Sequence, residues 1–284
     1  ILNHSSGNFL FVMETLRRMT GTLVVLTLIC GLYGAVQGTV TIHSKSLKKD
    51  IPCLVVLPHE YYLSLDRFTV VYLLHGYSGD YKDWSAHTIL RDYADKYNFI
   101  IVCRVGVFNS LYLDSHTDPV SQYITHVGKE VVKYIDENYR TIAQRNSRAV
   151  TGISIGGHGA LYLSLEIPQV FGVAGSMSGV VDLQFTTKKY ELGEKIGSFE
   201  NFSERWEQYS VISNVYKFKD LKTYLIIDCG VDDVFIKSNR LLHKKLLELN
   251  IPHDYSEKPG GHSWGYWVDS LEYHLMFFNS IFRK

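Results

Sequence analysis

The chain is short of the features that would set it apart from ordinary globular domains. Only six of its 284 residues are proline, and it carries no Pro- or Ser-rich linker, no internal repeat and no low-complexity tract. Nothing in it marks a break between domains, and a composition 46% hydrophobic and 20% charged suits one large α/β domain. Neither sign of charge is in excess, since Lys+Arg and Asp+Glu are both 29. That balance removes the electrostatic case for nucleic acid or an anionic membrane as partner. Cysteine is scarce too. Cys30, Cys53, Cys103 and Cys229 make no disulfide framework, and none has the spacing of a metal site. Cys53 and Cys103 lie in apolar, strand-like runs and read as core thiols.

Long apolar runs are almost absent. Residues 21–36 come nearest, and they are too short for a firm membrane span. Arg17 and Arg18 precede that stretch, and the small residues Gly34, Ala35 and Gly38 follow it. The pattern reads as a secretory signal peptide at about 13–38, cleaved near 35–38. It implies a secreted or periplasmic protein with no stable membrane association once the signal is removed. An uncleaved N-terminal anchor is the other reading. A lipoprotein site fits poorly, because Leu28 and Ile29 rather than a small residue precede Cys30.

What the chain does have is Gly152-Ile153-Ser154-Ile155-Gly156, between a strand-like run at 148–151 and a helix-like run at 157–165. Strand, G-x-S-x-G, helix is the context of a nucleophile elbow. Such a turn holds its serine in a strained conformation, and glycines on either side let strand and helix approach. It would expose the Ser154 hydroxyl above a sheet and aim the Ile155 N–H into the same space, giving a nucleophile and one oxyanion donor.

Five residues can match by chance, so the partners decide. Strands are expected at 39–44, 53–57, 68–74, 99–105, 148–151, 171–177, 223–228 and 253–257. Helices are expected at 84–97, 121–139, 157–165, 234–250 and 263–282. Residues 181–219 show no strong period and read as an irregular excursion over the sheet. The alternation predicts an α/β fold with a mostly parallel sheet covered on both faces, spanning 39–284 as one domain. Ligands of such sheets bind at the carboxyl ends of the strands.

A serine needs a base, and the base needs an orienting carboxylate. The chain order Ser154, Asp233, His262 is that of an α/β-hydrolase. His262 sits in the glycine-rich turn Pro259-Gly260-Gly261-His262, able to reach over the serine, whereas His75 and His158 read as structural. The turn His75-Gly76-Tyr77 after the third strand would supply a second oxyanion donor, the Tyr77 N–H. Tyr112, Asp114, Trp264 and Trp267 are candidate substrate-pocket walls. Asp232, beside Asp233, reads as an acidic residue near a helix N-terminus.

Four segments then carry a resemblance: Tyr72-Leu73-Leu74-His75-Gly76-Tyr77-Ser78-Gly79, Gly152-Ile153-Ser154-Ile155-Gly156-Gly157, Cys229-Gly230-Val231-Asp232-Asp233 and Gly260-Gly261-His262-Ser263-Trp264. Together they resemble the esterase family of α/β-hydrolases, which is similar to S-formylglutathione hydrolases, tributyrin esterases, feruloyl esterases and mycolyltransferases. The resemblance spans roughly 39–282. It implies an α/β-hydrolase fold, a serine nucleophile and no cofactor or metal. The positions of Trp84 and Trp264 look most like the tributyrin and carbohydrate esterases. Ile155 stands where many relatives have methionine or leucine, a small departure because only its N–H acts. The function expected is a secreted serine carboxylesterase for small-molecule or carbohydrate esters with short or aromatic acyl groups. The charged and aromatic excursion, with Lys188, Lys189, Glu191, Glu194, Trp206 and Tyr209, would form a polar rim. An acyltransferase using a sugar hydroxyl as acceptor, and a non-catalytic glycan-binding module, are the alternatives.

Overall fold

The computed structural model describes residues 34–104, 111–186 and 190–284. Most of the expected signal peptide, together with Cys30, Lys188 and Lys189, lies outside the described residues. Eight strands form one sheet: β1 Val36–Ser44, β2 Lys49–Leu57, β3 Thr69–Leu74, β4 Phe99–Arg104, β5 Arg148–Gly152, β6 Val173–Met177, β7 Tyr224–Gly230 and β8 Asp254–Lys258. Their order is β1-β2-β4-β3-β5-β6-β7-β8. β1 and β2 pair antiparallel, β2 runs antiparallel to β4, and every later pairing is parallel. Parallel neighbours need crossovers, and the intervening helices supply them. This is an α/β-hydrolase fold.

The helices that bear on the site are α1 Asp83–His87, α2 Leu90–Tyr97, α3 Val132–Asn138, α4 Ile155–Glu166, α5 Phe199–Tyr209, α6 Ile236–Glu248 and α7 Trp264–Phe282. Successive strand residues point to opposite faces, and the core divides accordingly. Val70, Tyr72, Val102, Val150, Ala174 and Ile227 pack with α3, α4 and α6 on one face. Val71, Leu73, Ile101, Ala149, Val173 and Ile226 pack with α1, α2 and α7 on the other. With both faces covered, the central strands read as continuous apolar runs rather than alternating ones.

Three expectations are corrected. The single helix at 84–97 is two, because Thr88 turns extended (φ −133°, ψ 166°) and donates its hydroxyl to Trp84 O at 2.5 Å, closing α1. The excursion at 181–219 is not irregular: it contains α5 and several short helices. Its Leu192, Ile196, Trp206 and Tyr209 are nearly inaccessible and join the apolar core on the α4 face of the sheet. Trp206 and Tyr209 are therefore packing groups and not rim residues. At the N-terminus, β1 begins at Val36, and buried Ala35 donates its N–H to Asp95 Oδ2 at 2.8 Å. The folded part thus reaches back past residue 39 into the stretch read as a cleavage region.

Cys53, Cys103 and Cys229 are free and buried. Among the described residues, no helix is long and apolar enough to cross a membrane.

Candidate active site

β5 ends where the chain turns hardest. Ser154 has φ 56° and ψ −117°, a region that costs a non-glycine residue on the order of 1–3 kcal/mol. A Cβ on Gly152 would stand 2.6 Å from Leu74 O, and one on Gly156 would stand 2.5 Å from His75 O. Only glycine lets α4 start this close to β3. The strain is held by backbone bonds from Ser154 N–H to Met177 O (3.0 Å), from Gly156 N–H to Ile153 O (2.7 Å) and from Val180 N–H to Ser154 O (3.2 Å). Ile155 is the first residue of α4, so its N–H has no carbonyl within the helix to bond.

Two loops bring the other groups to Ser154. After β7, Gly230 allows close passage under the His262 loop, for a Cβ there would meet Gly260 O at 2.2 Å. Asp232 N–H bonds Gly260 O at 3.0 Å and ties the two loops together. Asp233 then turns inward, 3% exposed, and accepts the Phe235 N–H on Oδ1 at 2.8 Å. Its Oδ2 accepts from His262 Nδ1 at 2.8 Å, and His262 Nε2 lies 2.9 Å from Ser154 Oγ. The neutral imidazole that fits both bonds carries its proton on Nδ1 and accepts the serine proton on Nε2. Burial pushes the Asp233 carboxyl up, but the hydrogen bonds from His262 and the Phe235 N–H outweigh it and hold it below the usual carboxylate range. The acid stays ionised to steady the ring. Phe235 and Trp267 flank the imidazole edge-on, with centroids 5.1 and 4.9 Å away. Its side chain keeps 23% exposure.

The loop after β3 passes beside the serine. A Cβ on Gly76 would lie 3.6 Å from Ser154 Cβ, and Tyr77 follows directly. The loop is backed from below, since Trp84 Nε1 donates to Leu74 O (3.3 Å) and the Tyr112 hydroxyl to His75 O (3.1 Å).

The four candidate wall residues separate here. Tyr112 is 1% exposed and packs beneath Gly159, so it supports the loop after β3 instead of lining a pocket. Asp114 is occupied inside its own loop, accepting from Thr125 N–H and Thr125 Oγ1. Trp267 is 7% exposed and contacts His262. Trp264 is partly exposed, edge-on to Trp84 and stacked on His87 at 4.1 Å. His158 is structural: it is fully buried, it donates to Tyr209 O at 2.9 Å, and burial lowers it to about 4.

Sequence reasoning missed Tyr190. Its ring meets Tyr77 edge-on at 5.0 Å, and burial together with the Asp233 carboxylate pushes its phenol up. Tyr190 and Glu191 both hold positive φ, 60° and 53°. A stretch without periodicity gave no signal for it. Also missed was His274, considered below. It had a signal, being with Ser270 a polar residue in the otherwise apolar or aromatic buried face of α7 that holds Leu271, Leu275 and Phe278.

Comparisons with known proteins bear on this arrangement. Residues 44–278 match the Esterase family model, described as "Putative esterase". An acetyl esterase of Caldicellulosiruptor saccharolyticus is 25% identical over 253 residues, covering 80% of this chain and 92% of its own length. The diacylglycerol acyltransferase/mycolyltransferase Ag85A of Mycobacterium bovis is 24% identical, covering 90% of this chain and 88% of its own. Among solved structures, the Staphylococcus aureus fluorophosphonate-binding serine hydrolase FphF, substrate bound, superposes with a TM-score of 0.77 at 20% identity. That match covers 87% of this chain and 99% of the other, and shows the shared fold.

Proposed function

The chain belongs to the esterase family and is a serine-type carboxylic ester hydrolase. On that premise we propose that it is a secreted carboxylesterase for short-chain or aromatic acyl esters of polar alcohols, with Ser154, His262 and Asp233 as its triad. The observation that carries the triad is the continuous line Ser154 Oγ, His262 Nε2, His262 Nδ1, Asp233 Oδ2, with bonds of 2.9 and 2.8 Å.

In this reading the Ser154 hydroxyl attacks the ester carbonyl while its proton passes to His262 Nε2. The carbonyl oxygen becomes an oxyanion held by the Ile155 and Tyr77 N–H groups. As the tetrahedral centre collapses, His262 returns the proton to the departing alcohol, leaving an acyl-serine. Water then gives its proton to His262 and its oxygen to the acyl carbon. The second collapse frees the acid and restores the serine. Asp233 keeps one tautomer in place and stabilises the imidazolium. The mild substrate class rests on the lack of a long apolar run near the site that could serve as a lipase-type lid. Secretion rests on the pattern at 13–38 alone.

The test is Ser154→Ala. It is expected to fold, to lose turnover of p-nitrophenyl acetate and to lose labelling by a fluorophosphonate probe. A variant that retained more than a small fraction of either would remove Ser154 from the role. The acyltransferase-named relative favours a second reading, in which an alcohol replaces water. Product analysis with and without an added sugar alcohol separates the two.

A further inference from the structure

One layer below the site, a second hydroxyl–imidazole–carboxylate line crosses the same elements. His274 Nδ1 lies 2.8 Å from Thr151 Oγ1, and His274 Nε2 lies 3.2 Å from Asp228 Oδ2. Thr151 is on β5, three residues before Ser154. Asp228 is on β7, five before Asp233, and His274 is on α7, twelve after His262. Thr151 and His274 are 0% exposed and Asp228 is 1%. The three groups lie on the sheet face that α7 covers, since Ala149 on β5 and Ile226 on β7, two residues from Thr151 and Asp228 respectively, pack there. β6 leaves room for the ring at Gly175, where a Cβ would stand 2.4 Å from His274 Nδ1 and 2.7 Å from Thr151 Oγ1. The Thr151 hydroxyl and His274 Nδ1 share a hydrogen bond, while Nε2 stands against the Asp228 carboxylate at ion-pair distance without hydrogen-bond geometry.

Burying three polar groups in an otherwise apolar layer carries a desolvation cost, and well-packed apolar residues would often be at least as stable there. What such a line adds is direction. Apolar contact is non-directional, so a long helix lying on an apolar sheet face is held against sliding mainly by shape. Hydrogen-bonded groups fix one register. α7 is the helix whose first turn carries Trp267 against His262, and His262 stands two residues before its start.

We propose that Thr151, His274 and Asp228 form a positioning network that sets α7, and through it His262, in register with Ser154 and Asp233. The inference rests on the triad reading above. The network ties β5, β7 and α7 together beneath the level at which each presents its reacting side chain. None of the three groups reaches substrate.

The experiment uses the full chain, p-nitrophenyl acetate turnover, and fluorophosphonate labelling carried to completion to count competent serines. His274→Leu is expected to lower kcat per labelled serine by about 10- to 100-fold with KM within about threefold, as a misplaced base would. His274→Gln, whose amide can still donate to Asp228, is expected to recover most of that loss. Gly175→Ala deletes no polar group but pushes the ring off Thr151, and it is expected to show the same kcat-only signature. It also decides the matter if His274→Leu fails to fold. A kcat per labelled serine that stays at the unsubstituted value in Gly175→Ala, and in His274→Leu where it folds, with only melting temperature reduced, would overturn the proposal. Labelling that persists in Ser154→Ala marks a different failure, that of the triad reading, and this proposal falls with it.

Discussion

Two hydroxyl–imidazole–carboxylate lines run through this molecule, and their difference shows what turns a constellation into a site. The upper line has its histidine 23% exposed and its serine on a strained turn between two loops. The lower line is sealed in the core and its threonine lies in regular strand. The rings are turned opposite ways: His262 faces its acid with Nδ1, His274 with Nε2. Residue types are nearly the same, so chemistry at one and not the other comes from place. In the proposed reading the elbow offers a nucleophile at the carboxyl edge of the sheet, amide donors beside it and a histidine that keeps contact with solvent. The lower line has only partners. Sealed from solvent, with one hydrogen bond and one close imidazole–carboxylate contact, it can tie elements together, and it offers no reacting atom to a substrate.

Substitutions sharpen that contrast, and the largest effect belongs to the upper acid. Asp233→Asn is expected to lower kcat by roughly 10⁴-fold, because the amide stabilises the wrong tautomer. The matching change below, Asp228→Asn, should cost about 10- to 100-fold through position alone. Equal losses in a side-by-side kcat measurement would erase the distinction between the lines. Gly230→Ala comes next. Its Cβ must displace Gly260 O, 2.2 Å away, and with it the His262 loop, so kcat should fall about 100-fold while the melting curve stays cooperative. Thr151→Val removes the lower hydroxyl and is expected to cost kcat less than about tenfold, with complete fluorophosphonate labelling retained. A Thr151→Val protein that failed to label would put the lower line inside the chemistry.

Acid should act on histidines that belong to neither line. His158 is lowered by burial to about 4, so the folded state refuses a proton that the unfolded chain accepts below about 6.5. The unfolded state then binds more protons, and stability falls as pH drops from about 6.5 toward 4, by up to about 1.4 kcal/mol per pH unit. His126 is likewise held low, by burial first and then by Arg104, and adds in the same direction. Denaturant melts across that range should show the slope, and His158→Gln should flatten it. The smallest effect is expected at Asp232, whose side chain is exposed while its neighbour turns inward. Asp232→Asn should leave kcat within about twofold and stability within about 0.5 kcal/mol. A large loss there would move the orienting acid off Asp233.

Much of this was legible in the linear chain because the signals are local. G-x-S-x-G announces its strand, turn and helix within a few residues, although the backbone its glycines abut at 2.7 Å or less includes Leu74 O and His75 O at the end of β3. The strands β3 to β7 follow from largely apolar runs bounded by polar turns, and the α/β-hydrolase fold from their alternation with helices. Gly230 and the glycines before His262 mark two tight passages, and the chain order of serine, acid and base supplied the rest of the candidate site.

Other features depend on neighbours far away in sequence. Tyr112 looked like a wall residue and is buried, because its ring lies under the loop after β3 and bonds His75 O. Trp206 and Tyr209 looked like a rim and are buried in the core that the excursion shares with the sheet. Tyr190 reaches Tyr77 across more than a hundred residues, and no local pattern encodes that meeting. The sequence by itself determined which residue types could react and in what order along the chain. Local backbone sterics and side-chain chemistry carry that information. Only the tertiary structure decided which of two similar lines lies within reach of solvent, because burial is a property of the packed sheet and its covering helices and of no single segment.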